Sequence, residues 1–402
     1  MGYFSSMKKR LLFTQIKNHL EKKQISLIIG ARQTGKTTLM QQLQYEVNQK
    51  NNPSFFLTLE DPKLLSLLNE HPANLKQVLP PLNDKIKTYI FMDEIQYLKN
   101  PSNFLKYHYD TGADKVKFIV SGSSSFYIDS KFKDSLAGRK RIFKLPTLSF
   151  EEFLLFKDKI ELSSFLFGNT IPQIYKNELS NLQNEYMIYG GYPDVVLEPD
   201  YKEKQLFLTE IAESYVKKDA VEAGLKHPDA YLNILSFLAE ITGSLLNSNT
   251  IAANFRLNAL TIESYVRLMK KSFHIIIIKP FYRNMTKELR KMPKVFFADL
   301  GLRNYFINNF EPLMLRKDKG ALFENFVFRL FYDKNREDEI KYWRTQKQQE
   351  IDFIINTKKA FEVKFTASAF KPSKYASFRK SYPDIPLQLI HYGNVLQTDY
   401  NI

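Results

Sequence analysis

The chain has 402 residues, 44% apolar and 25% charged, which is ordinary globular usage with room for two or three domains. It has no cysteine, so disulfides and thiolate metal sites are excluded. Lys and Arg outnumber Asp and Glu 58 to 43, a net charge of +15 that suits a phosphate-rich partner, although 44 of those cations are Lys, a bias that an A/T-rich genome also produces.

The first residues, MGYFSSMKKRLLFTQIKNHL, are charged and lack an apolar run long enough for a signal peptide. Gly2 and Ser6 fit the N-myristoylation pattern, which is too short to be the expected reading. The apolar run HIIIIKPF at 274–281 is too short to span a bilayer. The expectation is a soluble, cytoplasmic chain without a membrane partner.

From residue 25 to 146 strand-like and helix-like runs alternate. ISLII (25–29), SFFLTLE (54–60), KTYIFMDE (87–94), VKFIVSGS (116–123) and RIFKLP (141–146) read as strands. Continuous apolar strands separated by helices predict a buried parallel sheet covered on both faces.

Between the first strand and the helix that begins near Lys36 stands GARQTGKTT, residues 30–38. Gly30, Gly35, Lys36 and Thr37 match G-x-x-x-x-G-K-[ST]. The glycines let the amides of Gly30, Ala31, Arg32, Gln33, Thr34, Gly35, Lys36, Thr37 and Thr38 curl around phosphates, and the helix directs its positive end at them. Lys36 is expected on the β- and γ-phosphates and Thr37 on Mg²⁺. Asp93 and Glu94 close an apolar strand further on. Asp93 is expected to hold Mg²⁺ through its water shell, and Glu94 to orient and deprotonate the attacking water.

SGSSS (121–125) closes the fourth strand, and Ser121 and Ser123 either sense the γ-phosphate or simply turn the chain. In SLAGRKRIF, Arg139 is either an arginine finger, in cis or on a neighbouring subunit, or part of a basic surface turn.

After Pro146 the pattern turns helical. Ser149 and Glu152 form a capping box, and YGGYPD (189–194) interrupts the helices with a tight turn at Gly190, Gly191 and Pro193. Residues 250–272 read as helix, turn, helix, and strands at HIIIIKPF and KVFFAD (294–299) complete the outline of a winged helix. Arg256, Arg267, Lys270 and Lys271 are its candidate DNA contacts, while a protein-spacing role fits the same outline. The tail predicts a helix from 320 to about 333 and strands near 340–344, 350–355 and 360–365.

The strings GARQTGKTTL, FMDEIQYL, SGSSS, LAGRKRIFKLPTLSFEEF and GGYPDVV, with GALFENFVF and YWRTQKQQEIDFI in the tail, resemble prokaryotic AAA-superfamily ATPases that carry a C-terminal domain of unknown function. The resemblance spans nearly the whole chain. It implies ATP binding and hydrolysis and no settled physiological task. In one respect the sequence departs from the broader superfamily: serine stands where a sensor asparagine is expected.

The tail carries Glu324 on an apolar helix, Asp352 in IDFII, and Glu362 and Lys364 in AFEVKF. This is similar to the PD-(D/E)XK nuclease constellation. The likeness implies that Asp352 and Glu362 hold Mg²⁺, that Lys364 positions water and that Glu324 assists. An ordinary hairpin with a same-face charge pair reads the same way, and such folds also serve as non-cutting modules. Tyr342 and Trp343 either stack bases or pack the sheet.

The fold expected is therefore α/β: a P-loop AAA-type core (1–148), a helical lid-like segment (149–200), a helical and winged-helix-like segment (201–310), and an α+β PD-(D/E)XK-like domain (311–402). The expected activity is ATP hydrolysis with Mg²⁺ driving a switch linked to DNA or RNA. The alternatives are a scaffold ATPase with a protein partner and an ATP-regulated nuclease. Homo-oligomerisation is compatible with each.

Overall fold

The computed structural model describes residues 8–81, 86–112, 116–122, 136–225, 227–282 and 292–400. The chain divides into two compact units, Met1–Pro146 with Lys271–Phe273, and Thr147–Lys270 with His274–Ile402.

In the first unit, β1 (Ile25–Ile29), β2 (Ser54–Thr58), β3 (Thr88–Asp93), β4 (Val116–Gly122) and β5 (Lys140–Lys144) form one sheet in the order β2-β3-β4-β1-β5. Every neighbouring pair is parallel. The two faces explain the continuous apolar runs. Ile25, Leu27 and Ile29 join Ile90, Met92, Phe118 and Val120 in one core. Ile28 joins Phe91, Ile119 and Phe143 in the other. Helices α1 (Leu12–His19) and α2 (Lys36–Gln49) cover the second face through Phe13, Ile16, Leu39, Met40 and Leu43. Helix α3 (Pro101–Thr111) covers the first through Phe104 and Leu105. Each large apolar side chain buried in this way contributes about 1.5–3 kcal/mol. Because β1 lies inside the sheet beside β4, the loop after it opens at the carboxyl edge of the buried strands, where open parallel sheets hold ligands.

In the second unit α4 (Phe150–Phe156) begins with the expected box. Ser149 Oγ accepts the Glu152 amide and the Glu152 carboxylate accepts the Ser149 amide, each at 3.1 Å. Helix α5 (Lys176–Tyr189) runs into the glycine turn, and α6 (Ser248–Phe255) and α7 (Ala259–Lys271) make the helix-turn-helix. Helices α8 (Leu300–Phe306) and α9 (Lys319–Lys334) follow. Strands β6 (Ile275–Pro280), β7 (Lys294–Phe297), β8 (Ile340–Arg344), β9 (Glu350–Ile355), β10 (Lys359–Val363) and β11 (Leu387–Ile390) form a mixed sheet in the order β11-β10-β9-β8-β6-β7. Phe323, Phe326, Phe328 and Phe331 of α9 are wholly buried in its core with Phe296, Phe353 and Phe361.

The strand pair expected as a wing is built into this larger sheet. β6 and β7 pair antiparallel, and the end of β6 runs parallel to β8 through Lys279↔Lys341 and Pro280↔Tyr342. The boundary expected at residue 310 therefore runs through one sheet. Tyr342 and Trp343 are buried, and Trp343 packs edge-on against Phe378 and Tyr382. They pack the sheet and present no free face to a base.

Candidate functional site

The first candidate site follows from how the chain leaves β1. Gly30 passes so close to Leu145 that a Cβ there would stand 2.1 Å from the Leu145 carbonyl oxygen, so only glycine fits. Gly35 turns the chain into α2 at φ +86°. The next residues open α2, and the amino end of a helix carries partial positive charge suited to phosphate. The loop is also held from outside. The buried Arg10 donates to the carbonyls of Thr34 at 2.7 Å and Pro146 at 2.8 Å. Within the loop, Thr34 Oγ1 donates to Ala31 O at 2.9 Å. Lys36 Nζ donates to the carbonyls of Gly30 at 3.1 Å and Ala31 at 2.8 Å, which places the ammonium across the mouth of the loop.

Thr37 reaches from α2 to the end of β3 and donates its hydroxyl to Asp93 Oδ2 at 2.6 Å. The other Asp93 oxygen, Oδ1, accepts from Ser121 Oγ on β4. That same Ser121 oxygen accepts the Glu94 amide at 3.0 Å. Glu94 itself is held in the left-handed region at φ 57°, an uncommon place for a residue with a side chain, and its carboxylate accepts from Gln96 Nε2. A threonine hydroxyl and a carboxylate that share a hydrogen bond are hard oxygen donors of the kind Mg²⁺ takes, so these residues fit the ion.

Nearly all of the expected nucleotide residues are thus brought together. Gly30, Ala31, Arg32, Gln33, Thr34, Gly35, Lys36, Thr37 and Thr38 form one loop and helix start, with Asp93, Glu94 and Ser121 beside it. Ser121 is already engaged with Asp93 and Glu94, so its observed contacts position those two residues. Ser123, Gly2 and Ser6 lie outside the described residues.

Arg139 stands apart from this group. The Ile25 amide bonds to the Arg139 carbonyl at 2.8 Å, so Arg139 stands at the amino end of β1. The phosphate loop leaves the other end of that strand, roughly 13 Å away at 3.3 Å per residue. The Arg139 guanidinium forks onto Asp110, Nε at 2.8 Å. Within its own chain it does not serve this site. The physical reason is direction: a residue that precedes a parallel strand lies at the opposite edge from one that follows its neighbour.

A second cluster stands in the other unit. Lys294 Nζ on β7 lies 3.1 Å from Glu324 Oε1, 2.5 Å from Glu350 Oε1 and 3.7 Å from Asp352 Oδ1. Lys364 Nζ lies 3.7 Å from Asp352 Oδ2, pairs with Glu362 Oε1 and donates to Val363 O at 3.0 Å. Asp352 Oδ2 also accepts the Val363 amide at 2.8 Å. Glu324, Asp352, Glu362 and Lys364 therefore do meet, as the tail resemblance implies. Lys294 and Glu350 complete the group and escaped the sequence reading. Burial raises the Glu324 carboxyl to about 8 and the Glu362 carboxyl to about 7, with the Asp352 charge adding to both and the lysines opposing.

The glycine turn has a partner that the sequence reading also missed. Asp299 Oδ2 accepts the Gly191 amide at 2.8 Å and Oδ1 accepts the Leu302 amide at 3.0 Å, capping α8. Asn304 Nδ2 then donates to the carbonyls of Met187 at 2.9 Å and Ile188 at 2.8 Å, closing the end of α5. The signal was the string ADLGLRN, an N-cap Asp followed by a glycine. In the helix-turn-helix, Arg256 and Arg267 are exposed, and Lys270 pairs with Glu337 at 2.6 Å.

Residues 22–154 match the model of an AAA domain, and residues 180–313 and 319–401 match two models described as domains of unknown function. The uncharacterized protein MJ1544 of Methanocaldococcus jannaschii is 26% identical over 98% of this chain and 86% of its own length. An uncharacterized protein of Haemophilus influenzae is 26% identical over 86% of this chain and 82% of its own. Among solved structures, the Aeropyrum pernix ORC1 protein in complex with DNA is similar at a TM-score of 0.32 and 13% identity, covering 74% of this chain and 91% of that one. AMPPCP-bound DnaA from Aquifex aeolicus is similar at 0.31 and 16%, covering 66% and 88%.

Proposed function

We propose that this chain, whose residues 22–154 match the model of an AAA domain and whose later residues match two domains of unknown function, hydrolyses ATP with Mg²⁺ as a switch linked to nucleic acid. The observation that carries the reading is the run of hydrogen bonds from Thr37 through Asp93 and Ser121 to the Glu94 amide, beside the start of α2.

The chain's own groups divide the work. The first amides of α2 and the Lys36 ammonium take up phosphate charge. Thr37 and Asp93 would hold the ion, which would screen the charge on the phosphates. Glu94 accepts a proton from the attacking water, and Gln96 and Ser121 fix where Glu94 stands. Pre-arranged dipoles of this kind need no reorganisation at the moment of reaction.

The link to nucleic acid is supported by the +15 charge and by the exposed Arg256 and Arg267 on the helix-turn-helix. The test is ATP turnover with and without duplex DNA at two salt concentrations. Stimulation that falls steeply with salt is expected. Turnover indifferent to DNA removes the nucleic-acid link and favours a protein partner. Lys36→Ala should weaken nucleotide binding, and Glu94→Gln should bind nucleotide without turning it over. Unchanged hydrolysis in Glu94→Gln overturns the assignment of the base.

A further inference from the structure

The carboxylate cluster of the second unit is where the tail's likeness to a nuclease implies a divalent ion. We propose instead that Lys294 is the resident cation of this cluster, and that the full-length protein takes up no divalent metal there.

The first ground is geometry. An ammonium has three N–H groups and no acceptor. Lys294 Nζ faces three carboxylates, of Glu324, Glu350 and Asp352, at 3.1, 2.5 and 3.7 Å. A metal shared by Glu324 and Asp352 would need oxygens at about 2.0–2.6 Å, and Nζ stands in that space. Among the described residues no three acidic or imidazole side chains converge as a metal site.

The second ground is that the ammonium is fixed. The Lys294 side chain is 2% exposed. Its backbone is held by pairing with Ile278 in the sheet and by a bridge to Leu245. The walls close around it: a Cβ on Gly243 would lie 3.2 Å from each carboxyl atom of Glu324. Withdrawing the lysine would leave a buried charge with nowhere to go, whereas a metal would have to displace it before meeting any ligand.

The third ground is the other side of Asp352. Its Oδ2 is taken by the Val363 amide, and the Lys364 ammonium contacts Asp352, Glu362 and the Val363 carbonyl together. These are the oxygens that the nuclease likeness would hand to an ion. Both oxygens of Asp352 thus already face nitrogen.

The inference is independent of the nucleotide site and is tested on nucleotide-free, full-length protein. Mn²⁺ is titrated and the free ion followed by electron paramagnetic resonance, with thermal melts in EDTA and in Mn²⁺ alongside. Wild type should show neither uptake nor a rise in melting temperature from EDTA to Mn²⁺ that Asp352→Asn removes. Lys294→Ala should gain one Mn²⁺ with a Kd of about 0.1–1 mM, the range of weak oxygen-ligand sites, and melt higher in Mn²⁺ than in EDTA. Adding Asp352→Asn to that variant should abolish the gain. One Mn²⁺ bound by wild type and lost in Asp352→Asn overturns the proposal, as does a folded Lys294→Ala that gains none. If Lys294→Ala does not fold, the wild-type titration decides alone; uptake that survives Asp352→Asn belongs elsewhere and counts as none at the cluster.

Discussion

Ser121 Oγ donates to Asp93 Oδ1 and accepts the Glu94 amide at 3.0 Å, so one buried hydroxyl holds both acidic residues at the end of β3. Ser121→Ala removes a hydrogen bond to a charged group, worth about 1.5–3 kcal/mol. Turnover should fall about tenfold or more, while ATP affinity, which rests on the loop, stays within about threefold. Steady-state turnover and calorimetric titration separate the two. A large loss of affinity with unchanged kcat would mean that Ser121 touches phosphate.

Gly30 and Gly35 should fail in different ways. A Cβ on Gly30 meets the Leu145 carbonyl at 2.1 Å, while one on Gly35 meets nothing within 4 Å and suffers only from φ +86°. Gly30→Ala must push the loop away from β5 and should abolish binding of an ATP analogue. Gly35→Ala should cost about 1–2 kcal/mol of strain and retain weakened binding. Analogue titration and urea unfolding of both variants check the contrast.

The first unit should lose stability in mild acid. The His19 ring is held down to about 4, first by burial and then by the nearby Lys117 ammonium. Burial likewise lowers His108 to about 4. Unfolded imidazoles take up protons near 6.5. Between about pH 6.5 and 4 the unfolded chain therefore binds more protons, and stability drops as pH falls through that window. For a ring as buried as His19 the loss is on the order of 3 kcal/mol. The nucleotide-protected unfolding transition, followed in urea from pH 7 to 5, should move to lower urea. His19→Gln should flatten the slope.

Asp299 should matter more than its distance in sequence from the glycine turn suggests. Asp299→Ala leaves the Gly191 and Leu302 amides unpaired and should destabilise the second unit by about 2–4 kcal/mol. Asp299→Asn keeps an acceptor and should lose less. Trp343, the single tryptophan, is buried in this unit and reports the unfolding.

Local grammar was legible from residues alone. The strand runs 25–29 and 350–355, the helix start at Lys36 and the Ser149 box stand where apolar runs, phosphate-loop spacing and capping chemistry place them. Each is decided by neighbours a few residues apart. What was not legible depends on long-range pairing. Lys294 reads as a charge at the start of an apolar strand, and nothing within KVFFAD says that β7 will lie opposite Glu324 and Glu350. The sheet's crossing of residue 310 is hidden for the same reason, since it rests on Lys279 meeting Lys341. Arg139 could have been placed: once β1 and β5 are taken as parallel, the residue just before β5 falls at the amino edge.

Strand β7 has Lys294 at its beginning, and Asp299 follows two residues past its end. A slide of β7 by a single residue would turn every side chain to the wrong face, pulling the ammonium from its carboxylates and the aspartate from its amides in one movement. The strand behaves as a bolt pinned at both ends. Loosening either pin should free the other, so damage to the acidic cluster and damage to the glycine turn are expected to share one phenotype.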